Sequence, residues 1–505
     1  MTGKSFITLN KNPKAGKTPF NSDQMKIIRD TATFIKKMLQ KQKLFLCFFL
    51  LLYAGSSCQT FYQQQRSFNN YLERGEIDKA VTSLDENKRF REGRNRLLYQ
   101  MNKGTVLQLQ GEYEKSNEYL EMAYSTAQNY TRNIGRTAMA LMTNPSTTEY
   151  FGEDFELILI HYYKALNFLL MERKDAALVE ARRINNQLQA VSSQYSRENR
   201  YKRDAFGHLL MGIIFDASGH YNDAFIAYRN AHEIYSEDYQ QLFGMRSPDQ
   251  LKKDLVRTAH ETGFIEQRDR YMREFKMDKI PQNESDAELV FFWHNGLGPV
   301  KDEWSISFQV IHLNNEIIFI NQSLDLHFAF SVTRHEQQQR GLTDIKFLRV
   351  AFPRYVSREK YYEYATLNSG DRKQQLQLAQ DIDKVAKRNL RDRMNRELAE
   401  GLLRLAIKKA GEYKIREQNQ WLGILAGAAN MATEKADTRH WQSIPHSIYY
   451  SRFPLEEGQN EITLKRTPYH RPGNKEKHTF TINAEKGENL FHFHHDLSHR
   501  KAKVK

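Results

Sequence analysis

Between about Tyr62 and Phe275 apolar residues recur at every third or fourth position, and the only prolines are Pro145 and Pro248. That spacing predicts a succession of helices, each with one apolar face. Beyond Pro281 the period shortens. The runs Glu288–Trp293, Trp304–Ile311 and Glu316–Ile320 are rich in β-branched and aromatic residues and predict strands. Asn295-Gly296 and Asn314-Asn315 are the turn pairs between them, and residues 325–356 add further extended candidates. From Asp371 to about Asn419 the helical period returns, with Leu376, Ile382, Val385, Leu390, Met394, Leu398, Leu402 and Ile407 forming one stripe of a long charged helix. Strand-like Ile448–Tyr450 and Glu461–Leu464 flank Glu457-Gly458, which predicts a hairpin.

Four helical windows repeat one another. Gly212, Phe215, Gly219, Tyr221, Ala224, Tyr228 and Ala231 fall at the offsets of the tetratricopeptide pattern, and Gly104, Leu107, Gly111, Tyr113, Ser116, Leu120 and Ala123 fall at the same offsets. Weaker copies run through Tyr71, Gly75, Ile77, Ala80 and Leu84, and through Ala165, Phe168, Lys174 and Ala177. Small residues let two antiparallel helices approach, and glycine permits the tight turn between them. The equivalent small positions Ala80, Ser116, Ala177 and Ala224 are unevenly spaced, so the solenoid is irregular; residues 139–150 read as a looped insertion. A generic helical bundle is the plainer alternative. The predicted fold class is α+β and mostly helical: an irregular tetratricopeptide-like α-solenoid followed by a mixed domain with antiparallel strands and a long helix. Stacked pairs make concave surfaces that bind proteins, without naming the ligand.

Charge is concentrated at the start. Of the formal +14, residues 1–57 contribute +8, from ten lysines and arginines against Asp23 and Asp30. The folded middle is therefore only mildly basic, and no nucleic-acid partner is expected. Both cysteines, Cys47 and Cys58, lie in or beside one apolar run, which offers no disulfide framework. Lys36, Lys37, Lys41 and Lys43 precede the eleven-residue apolar run Leu44–Ala54, and Gly55-Ser56-Ser57 lead into Cys58. This is the layout of a secretory signal, too short to span a bilayer as a helix. The segment resembles a bacterial lipobox, with Gly55 where leucine is usual, and the resemblance implies acylation of Cys58. An ordinary signal peptide with an incidental cysteine is the alternative. Two or three acyl chains would hold the protein at a membrane. Met38 is a candidate start, and Gln59-Thr60 after the cysteine point by resemblance to the outer membrane, on its periplasmic face.

Further motifs follow in order: Tyr150–Glu156 (YFGEDFE), Val179–Arg183 (VEARR), His294-Asn295-Gly296 with Pro299 and Lys301, and Ala436–Trp441 (ADTRHW). With the lipobox and the repeats, this order resembles a family of tetratricopeptide-repeat-containing envelope lipoproteins of Gram-negative bacteria. The resemblance implies an envelope protein and brings no reaction, cofactor or catalytic residue with it.

Motifs that carry chemistry are few. Gly16-Lys17-Thr18 lacks the first glycine of a phosphate loop, and neither HExxH nor GxSxG occurs. His492, His494, His495 and His499 could meet a transition metal, but a flexible histidine-rich tail explains them as well, and no metal or cofactor is expected. Asn295, Lys301, Asp437, Arg439 and Trp441 are the candidate partner contacts, with an Asp437–Arg439 pair that merely organises a loop as the alternative. The domain expectation is residues 1–57 for extension and signal, 58–278 for the repeats, 279–468 for the mixed domain, and 469–505 for a last strand and basic tail. The functional expectation is a lipid-anchored periplasmic scaffold that binds other envelope proteins and performs no catalysis. Two alternatives stay open: an envelope enzyme acting on peptidoglycan or peptides near Trp293 and Trp441, and a membrane-remodelling protein using the apolar run Trp421–Ala432.

Overall fold

A computed structural model describes Met38 and residues 60–133, 148–194, 203–281, 285–339, 341–418, 436–470 and 473–497. Cys58 and Trp421–Ala432 lie outside the described residues. The chain divides into two units, Met1–Cys58 and Gln59–Lys505, and everything below concerns the second.

Among the described residues the helical period closes into five antiparallel pairs. They are α1 (Arg66–Glu73) with α2 (Ile77–Glu86), α3 (Arg96–Leu109) with α4 (Tyr113–Asn133), α5 (Asp154–Leu170) with α6 (Lys174–Gln194), α7 (Ala205–Ala217) with α8 (Tyr221–Ile234), and α9 (Asp249–Glu261) with α10 (Ile265–Phe275). Each pair turns on one residue in the left-handed region: Gly75, Gly111, Glu172, Gly219 and Gly263. Close approach explains the other repeated glycine. A Cβ on Gly212 would lie 2.4 Å from the Tyr228 ring, and one on Gly104 would lie 2.6 Å from Leu120 Cγ. The two contacts occupy equivalent positions in their pairs. Ala80, Ser116, Ala123, Ala177, Ala224 and Ala231 are buried between the helices, whereas Tyr113 is half-buried and Tyr221 is exposed at its helix start. The pair α9/α10 escapes the repeat pattern because Val256 and Arg268 replace the small residues, leaving Gly263 as its only signal.

The second half is built from three four-stranded sheets. The central one has the order β12 (Asn489–Asp496), β1 (Ala287–Leu297), β9 (Pro445–Leu455), β8 (Gln377–Asp381). A second has β11 (Glu476–Ala484), β10 (Gly458–Pro468), β6 (Tyr362–Ser369), β7 (Arg372–Gln375). The third has β4 (Leu326–Ser331), β3 (Glu316–Asn321), β2 (Val300–His312), β5 (Phe347–Val356). All neighbours are antiparallel except β1 and β12, which run parallel. The fold class is thus α+β, mostly helical.

The run Leu289–Trp293 is apolar throughout because β1 is covered on both faces, the situation in which alternation disappears. Val290 and Phe292 belong to the core shared with the helices, while Leu289, Phe291 and Trp293 pack with Leu367, Ile462 and Leu464 of the second sheet.

Several expectations are corrected. Asn295-Gly296 is no turn: both residues lie inside β1, with Gly296 at φ +73° where the pairing to β9 is interrupted. Asn314-Asn315 does join the paired strands β2 and β3. Glu457-Gly458 joins β9 to β10, but those strands pair in different sheets, so no hairpin forms. The long helix α11 spans Ile382–Gln418 and starts later than its apolar stripe, because Gln377–Asp381 is drawn into the central sheet against β9. Residues 489–496 are not a tail; they hydrogen-bond along β1 from Glu288 to Asn295. No described helix is long and apolar enough to cross a membrane.

Two substitutions test the hairpin geometry by urea unfolding. Glu172→Gly relieves a left-handed non-glycine residue and is expected to add about 1 kcal/mol. Gly212→Ala forces a methyl into Tyr228 and is expected to cost about 1–3 kcal/mol. Equal, near-zero shifts for both would contradict this account of the repeat.

Candidate functional site

Helices α3, α4, α5 and α6 enclose a groove of about 840 Å³. Its apolar contribution comes from Met122 and Val179, 42% and 44% exposed, and from Phe168, over which the Arg173 guanidinium sits at 5.3 Å. Aliphatic side chains gathered at one concave surface offer a place where another apolar group can be buried.

A charged cluster forms the floor. Lys164 Nζ donates to Glu180 Oε1 at 2.7 Å and to Glu121, and Arg183 Nη1 donates to Glu121 Oε2 at 2.7 Å and to Glu180 Oε1 at 3.0 Å. His161 Nδ1 lies 2.7 Å from Glu180 Oε2. Burial pushes the His161 imidazole down, keeping it neutral. Burial opposes ionisation of Glu180, but the bonds from His161 and Lys164 outweigh it and hold the carboxyl below its usual range. Two cations and two carboxylates therefore cancel, and the floor presents fixed polarity without net charge. Beside it two groups are unsatisfied: Asn117 Nδ2 and Gln100 Oε1 are buried with no hydrogen-bond partner among the described residues. Asn117 Oδ1 is already taken by Asn167 Nδ2 at 2.9 Å, which fixes the amide so that its NH₂ is the free end. One buried donor and one buried acceptor are the complement of a peptide unit's C=O and N–H. Leaving such groups unpaired costs about 1–3 kcal/mol each, which a ligand would recover once a side-chain rotation brings these enclosed atoms to the groove.

The sequence-selected contacts sit elsewhere, and the structure corrects their role. Asn295, Lys301, Arg439 and Trp441 are buried and Asp437 is half-buried. Asn295 Nδ2 donates to Tyr362 O at 2.9 Å. Lys301 Nζ pairs with Glu153, which Arg393 meets from α11 at 2.6 Å. Arg439 pairs with Asp437 at 2.6 Å and reaches Thr148 O at 2.8 Å. Trp441 N donates to Glu156 Oε1 at 2.8 Å, and its Nε1 reaches Thr105 Oγ1 at 3.1 Å. These motifs join the repeats to the sheets within one chain, so they are not available to a separate partner. The space around Trp293 and Trp441, named for an enzymatic site, is filled by packed side chains; both indoles are fully buried.

The histidines of β12 are likewise held in place. His492 stacks on Phe480 at 4.3 Å, His494 lies 4.5 Å from the His478 ring, and Trp293 Nε1 donates to Asp496 Oδ2 at 2.6 Å. His499 lies outside the described residues. The groove residues Asn117, Gln100, Met122 and Val179 were not singled out from the sequence, since an exposed face of an amphipathic helix carries no motif.

No family model matches the chain, and no curated protein matches it in sequence. Among solved structures, similar arrays include the MamA protein at 13% identity, covering 42% of this chain and 85% of that one with a TM-score of 0.26. A protein of nearly identical TPR-like repeats from Podosopora anserina is 15% identical over 43% of this chain and 96% of its own, with a TM-score of 0.27. A tetratricopeptide repeat protein from Parabacteroides merdae is 15% identical over 44% and 94%, with a TM-score of 0.15. At such scores the assignment of the hairpins rests on their own turns and glycine contacts, which define a helical-hairpin array of tetratricopeptide type.

Glu153 supplies a pH test of the link between repeats and sheets. Burial raises its carboxyl, but Arg393 and Lys301 outweigh this and hold it well below the glutamate range. A depressed carboxyl stabilises the fold fully above the unfolded value of about 4.3, and that stabilisation is lost as pH falls through the lower, folded value. Glu153→Gln leaves Lys301 buried without its carboxylate and is expected to cost about 3–5 kcal/mol near neutral pH. The deficit should narrow on acidification, as followed by thermal melts; a pH-independent deficit would contradict the assignment.

Proposed function

We propose that the protein is a lipid-anchored scaffold of the bacterial envelope that grips an extended segment of another protein in the α3–α6 groove. The observation that carries this reading is the pairing of an open apolar lining, Met122 and Val179, with one unsatisfied donor, Asn117 Nδ2, and one unsatisfied acceptor, Gln100 Oε1. Apolar contact provides the free energy, and the two polar atoms set the register of a peptide backbone. The neutral floor disfavours strongly charged ligands, since neither sign of charge gains there.

Attachment through acylated Cys58, with the protein on the periplasmic face of the outer membrane, is the localisation proposed with it. The support is the basic, apolar and small-residue order before Cys58. Mass spectrometry of the mature N-terminus from the native host tests this separately: a di- or triacylated Cys58 is expected, and a chain retaining residues 1–57 overturns the anchor.

The groove is tested by placing a photo-crosslinking amino acid at Val179 and, as a control, at Ile226, which is equally exposed outside the groove. Discrete protein adducts are expected from position 179 alone. They should disappear in the Met122→Glu background, where folding is undisturbed because Met122 faces solvent. Equal adducts from both positions, or adducts indifferent to Met122→Glu, would remove the groove as the binding surface.

A further inference from the structure

We propose that Asp381, Asp383 and His446 form a binding site for a divalent transition-metal cation, of the zinc class, at one end of the central sheet. The site shares no residue with the groove. Asp381 ends β8, Asp383 lies in the first turn of α11, and His446 is the second residue of β9. Asp381 is the register partner of Ser447, so the strand pairing itself brings the two chain segments together.

One ligand atom from each residue lies within 4.8 Å of the other two, and all three residues are more than nine-tenths buried. Ligands bound at about 2.0–2.2 Å around a four-coordinate ion stand roughly 3.3–3.6 Å apart, so inward shifts of less than about 1 Å complete the geometry. The remaining bonds leave the right atoms available. Asp383 Oδ1 is buried with no hydrogen-bond partner among the described residues. His446 Nδ1 lies 2.8 Å from Ser447 Oγ, which can accept a hydrogen bond from Nδ1–H and leave the lone pair on Nε2, where no hydrogen bond forms among the described residues. Such a second contact orients the ring of a metal-binding histidine.

The lysines around the cluster decide how the site works. Lys387 Nζ donates to Asp383 Oδ2 at 2.8 Å and to Ser357 Oγ, Lys384 Nζ approaches Asp381 Oδ2 at 4.0 Å, and Lys360 Nζ donates to Tyr449 OH at 3.0 Å. Lys387 and, from farther off, Lys384 offset the two buried carboxylates in the absence of a cation, whereas Lys360 bonds to neither. Lys387 and Lys384 have side chains 40% and 49% exposed, so either can turn into solvent when a cation takes its place. Two carboxylate oxygens, one imidazole and no thiolate make a donor set suited to Zn²⁺, Co²⁺ or Mn²⁺ and poorly suited to soft ions. Three protein ligands leave a position of a four-coordinate ion for water.

The full chain, stripped with a chelator, is titrated with Zn²⁺ against a chromophoric competitor and with Co²⁺ by visible absorption. One equivalent is expected. Asp383→Asn and His446→Gln should each weaken binding at least about tenfold. Lys387→Gln should tighten it, because it removes the competing ammonium, whereas in a purely structural ion-pair network it could only destabilise. The opposite results are equally definite. Zinc binding that survives Asp383→Asn but vanishes with His494→Gln would assign the metal to the His478–His494 pair instead. No binding by the parent chain, or weaker binding after Lys387→Gln, would overturn the site.

Discussion

Arg452 is buried on β9, and its guanidinium meets Asp216 at 2.6 Å, Asp254 at 3.1 Å and Glu288 at 2.5 Å, while Tyr228 OH lies 3.0 Å away. Those partners come from α7, α9, β1 and α8. A buried charge in this position is tolerable only while its counter-charges are in place, because the desolvation of each ion is compensated solely by the others. Helices and sheets therefore depend on one another: separating them would strip Arg452 of Asp216 and Asp254, leaving it to Glu288 alone and leaving those two carboxylates to Arg257. Lys301 against Glu153 and Arg393 repeats the arrangement at a second place. The hydrophobic core agrees, running without a break from Phe61 in the repeats to Tyr450 in the central sheet. The unit Gln59–Lys505 is accordingly one compact body, although its two halves have different periodicities.

That dependence frees other surfaces for interaction. The motifs most distinctive in the sequence, around Glu153, Lys301 and Trp441, are consumed in holding the halves together. What the repeat array leaves open is the groove between α3 and α6, where exposed aliphatic side chains border a charge-balanced floor. The division is physically sensible: buried polar networks impose a unique arrangement, and an open groove with a few unsatisfied groups remains able to bind. The far end of the central sheet gathers a second kind of chemistry, two carboxylates and an imidazole, at strand ends where backbone pairing no longer uses every neighbour.

Local rules were legible in the residues. Glycines at 75, 111 and 219 marked hairpin turns, and Gly104 and Gly212 marked close helix contacts, because these demands act within a few residues and only glycine meets them cheaply. Glu172 shows the limit of that legibility: the turn it makes is the same, but the array imposes it on a residue that does not advertise it. Of the candidate site, only its setting on paired helices could be read, since Asn117 and Gln100 become unusual solely through lacking partners in the folded chain.

The amino-acid sequence by itself determined where helices give way to strands, the spacing of most hairpins, and the order of charged, apolar and small residues before Cys58. Tertiary structure alone decided which strands pair, that Asn295-Gly296 continues a strand, that Gln377–Asp381 leaves the helical stripe, and that the histidines of residues 489–496 line β1. The reason is range. Periodicity and turn preference are properties of neighbouring residues, whereas the pairing of β1 with β12, or of Arg452 with Asp216, joins segments about two hundred residues apart and depends on what each buries against the rest.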